Sequence, residues 1–153
     1  MIKLSQRLQK IANMVPQGAT VADIGTDHGF LPCWLASERR VKKVIACDVN
    51  EQPLELARKN IRELQLEYKI STRLGDGLQV LIPGEVDVVT ISGMGGGLMQ
   101  NILENSPKVV DSLQRIILQP NVGADRIRVW AEKNQWHVAE EDLVLENGRF
   151  SII

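Results

Sequence analysis

Five times along its 153 residues this chain passes from a short apolar run to an amphipathic one. An opening helix over 3–14 carries Leu4, Leu8 and Ile11 at helical spacing, and "PQG" at 16–18 stops it. Strands follow at 19–24, 44–49, 69–74, 86–92 and 115–119. Between and after them lie a helix from "DHG" to about Ser37, one capped by Asn50 with Pro53 in its first turn, one over 97–105 and one over 124–133. The charged stretch "ERRVKK" reads as a link before the second strand. After residue 136 the helical period disappears, and Asn147–Gly148 stands between two extended runs, a hairpin signal. Alternation of this kind implies an α/β fold: a mostly parallel sheet with helices on both faces, ending here in an antiparallel hairpin.

Composition narrows the classes. Hydrophobic residues make up 44% of the chain, enough for one domain with a proper core. The net charge of −1 excludes a whole-domain basic field for nucleic acid. No apolar run approaches the roughly 20 residues that span a membrane. The opening "MIKLSQRLQK" lacks the apolar centre of a secretion signal, so the expected location is cytoplasmic, with no membrane partner. Cys33 and Cys47 are not in a metal or redox spacing; they read as reduced buried thiols, and no metal is expected. Trp34, Trp130 and Trp136 read as core residues.

The chain's polar and glycine residues collect at the carboxyl ends of the strands, where ligands bind in such sheets. Strand one runs into Asp23 and the turn Gly25, Thr26, Asp27, His28, Gly29. Strand two ends at Asp48 and Val49, strand three at Asp76 and Gly77, strand four at Ser92, Gly93 and Met94, and strand five at Gln119, Pro120 and Asn121.

Asp48, 23 residues beyond Gly25, suits a ribose diol, which donates two hydrogen bonds to one carboxylate. Asp76, in a "GDG" turn, suits an exocyclic adenine amine. The competing readings are a helix N-terminal charge for Asp48 and an ordinary turn aspartate for Asp76. A dinucleotide site needs a glycine-rich turn open to pyrophosphate. This turn is "DIGTDHG", and Asp23 and Asp27 would repel phosphate. Carboxylates suit a cationic adenosine derivative, which points to S-adenosylmethionine, with its sulfonium and ammonium groups, over NAD.

Together "VADIGTDHGFLP", "GDGLQVL", "ISGMGGGLMQNIL" and "LQPN" resemble the bacterial tRNA adenine-N1 methyltransferases that modify adenosine 22, the TrmK family. "LSQRLQKIA" and "EDLVLENGRF" extend the resemblance over nearly the whole chain. It implies a Rossmann-like class I methyltransferase domain over 1–153, with a seven-stranded sheet that includes the hairpin, and methylation of N1 of an adenine in tRNA. It places a catalytic or substrate-orienting carboxylate on Asp27. It places cofactor contacts on Gly25, Thr26, His28, Asp48, Asp76, Gly77, Gly93 and Met94; the neighbouring Asp23, Gly29, Val49 and Ser92 complete the expected set. The family continues into a helical C-terminal domain that this sequence lacks, so weak tRNA binding is expected.

The residues limit the chemistry as well. After strand four stands "SGMGG", without the proline and aromatic common in exocyclic-amine methyltransferases. Neither cysteine is placed for carbon methylation. A ring nitrogen with a free lone pair remains, and it needs positioning more than it needs a base. The positive charge that develops on the adenine is the reason to give Asp27 a stabilising role. His28 is open to a packing or a proton-transfer role, and Met94 to lining the target pocket or simply packing. Expected substrate contacts are Met94, Gln119, Pro120 and Asn121, with Arg7 and Lys10 meeting phosphates; a solvated stripe of Lys3, Arg7 and Lys10 is the plainer reading. The run Arg39, Arg40, Lys42, Lys43 is expected at the far end of the sheet. Two readings from other classes stay open: an NAD-dependent oxidoreductase and a non-catalytic S-adenosylmethionine-binding module.

Overall fold

The structure is a computed structural model that describes residues 2–38 and 40–153. Helix α1 (Gln6–Met14) starts later than its apolar spacing suggests, because the Ser5 hydroxyl accepts from the Leu8 amide at 3.3 Å and caps it there. Then come β1 (Ala19–Ile24), α2 (Phe30–Ser37), β2 (Val41–Asp48), α3 (Glu51–Glu63), β3 (Ile70–Leu74), β4 (Val88–Met94), α4 (Gly96–Glu104), α5 (Pro107–Asp111), β5 (Arg115–Pro120), α6 (Ala124–Lys133), β6 (Leu143–Glu146) and β7 (Arg149–Ile152). A short 3₁₀ turn, Gly77–Val80, follows β3. That turn and α5, each about one turn long, are too short to leave a periodic signal.

The first five strands form a parallel sheet in the order β3-β2-β1-β4-β5. Alternate residues feed opposite faces. Val21, Val44 and Val88 pack with Leu31 and Leu35 of α2 and Ile11 of α1. Ala22, Ile45 and Val89 pack with Met99 and Leu103 of α4 and Trp130 of α6. Strands buried on both faces explain the nearly continuous apolar runs. Of the three tryptophans only Trp130 is fully buried; Trp34 and Trp136 are half-buried.

The expected seven-stranded sheet is corrected to five parallel strands plus a separate antiparallel pair, β6-β7. Side chains, not a shared ladder, anchor this hairpin. Val144 and Ile153 enter the core beside Leu4 and Ile117. The approach to it is acidic and ion-paired: Glu140 to Arg115, Glu141 to Arg128, and Asp142 to Lys10 at 2.8 Å. The turn itself has positive φ at both Asn147 (53°) and Gly148 (73°), as a two-residue hairpin turn requires.

Strand limits differ from expectation in two places. β2 begins at Val41, which is buried and pairs with Ala19, while Lys42 and Lys43 face solvent from the ladder; these two lysines of the basic run are part of the strand. β4 runs on to Met94 because a bulge between Ser92 and Met94 keeps it paired with β5. Lys42 and Lys43 lie at the strand end opposite the carboxyl ends, Arg40 sits over the Trp34 ring at 5.8 Å, and Arg39 lies outside the described residues.

Candidate functional site

Strand order reverses between β1 and β4, and the crevice beyond their carboxyl ends opens into a cleft of about 960 Å³. That size lies at the upper end for small-molecule sites, roughly 300–1,000 Å³. Its floor is acidic. Asp23, Asp27, Asp48 and Asp76 all line it.

The four carboxylates differ in setting. Asp23 is buried at the end of β1 and accepts from the hydroxyls of Thr26 (2.8 Å) and Thr90 (2.7 Å). Burial pushes its carboxyl up to about 6 against the pull of those two hydrogen bonds. It acts as the buried foundation of the turn. Asp48 is 8% exposed; one oxygen accepts from the Asn50 amide at 3.0 Å and the other from the Asp27 amide at 3.2 Å. Each oxygen keeps lone-pair capacity for a further donor. Asp27 is exposed. Its backbone is left-handed (φ 56°), its side chain is 69% exposed, and its Oδ2 lies 3.1 Å from His28 Nδ1. Asp76 is exposed in the turn after β3.

The turn also makes room. Gly25 has φ +72°, and a Cβ there would stand 2.4 Å from Met94 Cε, so a side chain would fill the space between the β1 and β4 turns. His28 stacks on Phe30 with ring centroids 5.2 Å apart, and its carbonyl accepts from Asn60 Nδ2 at 2.8 Å.

Most of the expected residues share this cleft: Gly25, Thr26, His28, Val49, Gly77, Ser92, Gly93, Met94, Asn121 and Arg7 line it with the four aspartates. Four do not reach its wall. Gly29 caps the start of α2 behind it. Gln119 is fully buried and reaches the cleft only through its neighbours. Pro120 faces a second cavity between β5, α6 and the chain's last residues. Lys10 is held by Asp142. Arg7, although on the wall, spends its guanidinium on Gln119 and lies 3.7 Å from Glu146.

The cleft includes residues that the strand-end rule could not supply. Phe30, half exposed at the head of α2, and Leu98 on α4 face it. So do Glu146, Asn147, Arg149 and Ser151. The Asn147–Gly148 signal locates the hairpin in the chain, but nothing local in the sequence says that it packs against α1 and β5 and lines the cleft.

Burial pushes the Cys33 thiol up to about 11 and the Cys47 thiol up to about 12, which keeps both protonated and unreactive. Among the described residues no group of three His, Cys, Asp or Glu is placed to hold a metal ion, and no helix is long and apolar enough to cross a membrane.

A family model for a methyltransferase domain matches residues 4–153. The chain belongs to the methyltransferase-domain family. It is 40% identical over 148 residues to the tRNA (adenine(22)-N(1))-methyltransferase of Bacillus subtilis, covering 97% of this chain and 62% of that protein. It thus spans under two thirds of that relative's length. A Streptococcus pneumoniae protein described as a candidate tRNA (m1A22) methyltransferase, solved with S-adenosyl-L-methionine, superposes with a TM-score of 0.95 at 37% identity, over 98% of this chain and 71% of that one. TrmK from M. capricolum, solved with the cofactor product S-adenosyl-homocysteine, superposes with a TM-score of 0.87 at 32% identity, over 97% and 66%.

Proposed function

We propose that this chain binds S-adenosylmethionine in the acidic cleft and transfers its methyl group to N1 of an adenine in tRNA, at position 22 as in the B. subtilis relative. The observation that carries the reading is the carboxylate-floored cleft at the β1/β4 switch point. Its donor set suits a cationic adenosine derivative and opposes a pyrophosphate, which disfavours the NAD alternative.

Asp48 would hold the ribose hydroxyls with the lone pairs left on its two oxygens. Asp76 and Gly77 would border the adenine, and Asp23 with Thr26 would fix the turn beneath. The bound cofactor supplies an electrophilic methyl carbon on a sulfonium that leaves as a neutral thioether. The residues on the other side of the cleft position the acceptor base. N1 attacks with its own lone pair, so no side chain has to remove a proton first. Positive charge moves onto the adenine, and Asp27, exposed in the cleft, would stabilise it. Methyl transfer to unmodified tRNA, with the product located by nuclease digestion and mass spectrometry, tests the reading. Cofactor binding without any transfer would instead favour a non-catalytic binding module.

In the same reading the protein works among cytoplasmic tRNAs, and this chain alone binds them weakly. Its net charge is −1, and Arg7 and Lys10 are engaged by protein partners, Gln119 and Asp142.

A further inference from the structure

Gln119 is fully buried behind the cleft and touches no part of its surface. Its hydrogen bonds go to three segments that do. Its Oε1 accepts from Arg7 Nη1 on α1 at 2.8 Å and from the Gly93 amide at 3.0 Å. Its Nε2 donates to Asn121 Oδ1 at 3.2 Å. The Asn121 amide in turn donates to the Met94 carbonyl at 2.8 Å. The bonds close a ring that joins Gly93–Met94 to Gln119–Asn121, with Arg7 fastened to it from the N-terminal helix.

Gly93 is the bulged residue of β4, with φ +75°, and its amide points away from the regular ladder. Gly93 itself is exposed, but its N–H turns toward the buried Gln119 side chain, which provides the acceptor that the ladder does not. Ser92, Gly93 and Met94 are thus held toward the cleft by the Gln119 amide oxygen on the Gly93 N–H together with the Asn121 main-chain N–H on the Met94 carbonyl.

The geometry points to Gln119 as a positioning residue for methyl transfer: it fixes the Gly93 bulge, and through it the wall of Ser92, Gly93 and Met94, which this inference assigns to the acceptor base in place of the cofactor contacts expected there from the sequence, while Asp23, Asp48 and the 25–28 turn are built without it. The inference rests on the proposed function for its kinetic part only. Asp48, Asp23 and the 25–28 turn make no hydrogen bond to Gln119. Loss of Gln119 should accordingly separate chemistry from cofactor binding.

The test uses the full-length protein and three variants. Gln119→Met keeps the side-chain length and removes both the acceptor and the donor. Gln119→Glu keeps the acceptor for Arg7 and Gly93, and the Asn121 amide can rotate to donate to it. Gln119→Asn is one methylene too short to reach all its partners, and it replaces Gln119→Met if that variant does not fold. Amide hydrogen exchange at Gly93 should speed up at least tenfold in Gln119→Met or Gln119→Asn and stay slow in Gln119→Glu. The single-turnover methylation rate at saturating tRNA should fall at least tenfold in the first two and return to within threefold in Gln119→Glu. The Kd for S-adenosylmethionine should stay within twofold throughout. Unchanged Gly93 exchange in Gln119→Met overturns the inference. So does a rate that survives in Gln119→Met, a Gln119→Glu rate as low as that of Gln119→Met, or a rate loss matched by lost cofactor affinity. If the unaltered protein binds cofactor but transfers no methyl group, the proposed function fails, and Gly93 exchange still decides the link to Gln119.

Discussion

The carboxylate of Asp48 holds the main-chain amide of Asp27 at 3.2 Å, so the buried acid at the end of β2 fixes the exposed acid after β1. Asp27 is left-handed, a conformation that aspartate and asparagine tolerate better than most residues. One carboxylate thus sets the backbone on which the other is displayed, and the two can be separated by substitution.

Asp48→Ala should weaken S-adenosylmethionine binding by about 1.5–3 kcal/mol, the loss expected for charge-assisted hydrogen bonds. Asp48→Asn, which keeps one acceptor, should fall between. Titration calorimetry reads both. Equal affinities in Asp48→Ala and the unaltered chain would remove Asp48 from the cofactor site.

Asp27→Asn preserves the left-handed turn and removes the charge. The single-turnover methylation rate should drop at least tenfold, about 1.4 kcal/mol in the barrier, while cofactor affinity changes less than threefold. A parallel collapse of both would make Asp27 a cofactor ligand and leave the charge on the adenine without its proposed partner.

Stability should carry the mark of Asp23. Its carboxyl ordinarily titrates near 3.8 and in the fold near about 6. Between those values the folded chain keeps a proton that the unfolded chain has released, so stability falls as pH rises from about 4 to about 6 and then levels off. The size is on the order of 2–3 kcal/mol. Glu85, held down to about 2 chiefly by its hydrogen bonds from Arg73, acts in a lower window: its contribution is present above its ordinary value of 4.5 and is lost as pH falls through about 2. Urea unfolding at pH 4, 5, 6 and 7 should show the downward slope in the unaltered chain and a flatter profile in Asp23→Asn. Identical slopes in the two proteins would count against a protonated Asp23.

This chain should bind tRNA weakly and with a shallow salt dependence, because its 18 lysines and arginines are offset by 19 aspartates and glutamates. Joining it to a C-terminal helical domain of the kind the family resemblance implies should raise tRNA affinity and steepen the salt slope. Cofactor affinity should stay within about twofold, or ~0.4 kcal/mol. Filter binding across a salt series measures both slopes; the same slope with and without the added domain would place the whole tRNA grip on residues 1–153.

The five-strand alternation and most of the acidic floor were legible from the sequence because both follow local rules. A strand buried on both faces must be apolar throughout, as in "VIACDV", and the residues that interrupt the apolar pattern collect where each strand ends. The hairpin was legible as a hairpin, but its place was not. Whether β7 pairs with β5 or stands apart depends on Arg115, Arg128 and Lys10 meeting three acids distant in sequence. Gln119 shows the same limit. Its place at a strand end suggests a ligand contact, whereas its burial depends on Arg7, 112 positions away, arriving from α1 to cover it. Phe30 offered no signal beyond being aromatic, and its exposure in the cleft is a tertiary fact.

Arg7 bonds to Gln119 and lies beside Glu146, so one wall of the cleft is assembled from both flanks of the domain. A core of five strands alone is therefore not a minimal working unit. Trimming α1 would remove no ladder residue, yet it would take Ile11, Ala12 and Met14 from the core, strip the cover from Gln119 and release Glu146 and Asp142 from their cations. Design on this scaffold has to treat the first turns of the chain and the hairpin as parts of the cleft, and a fusion partner at either flank should be joined through a spacer long enough to leave that wall closed.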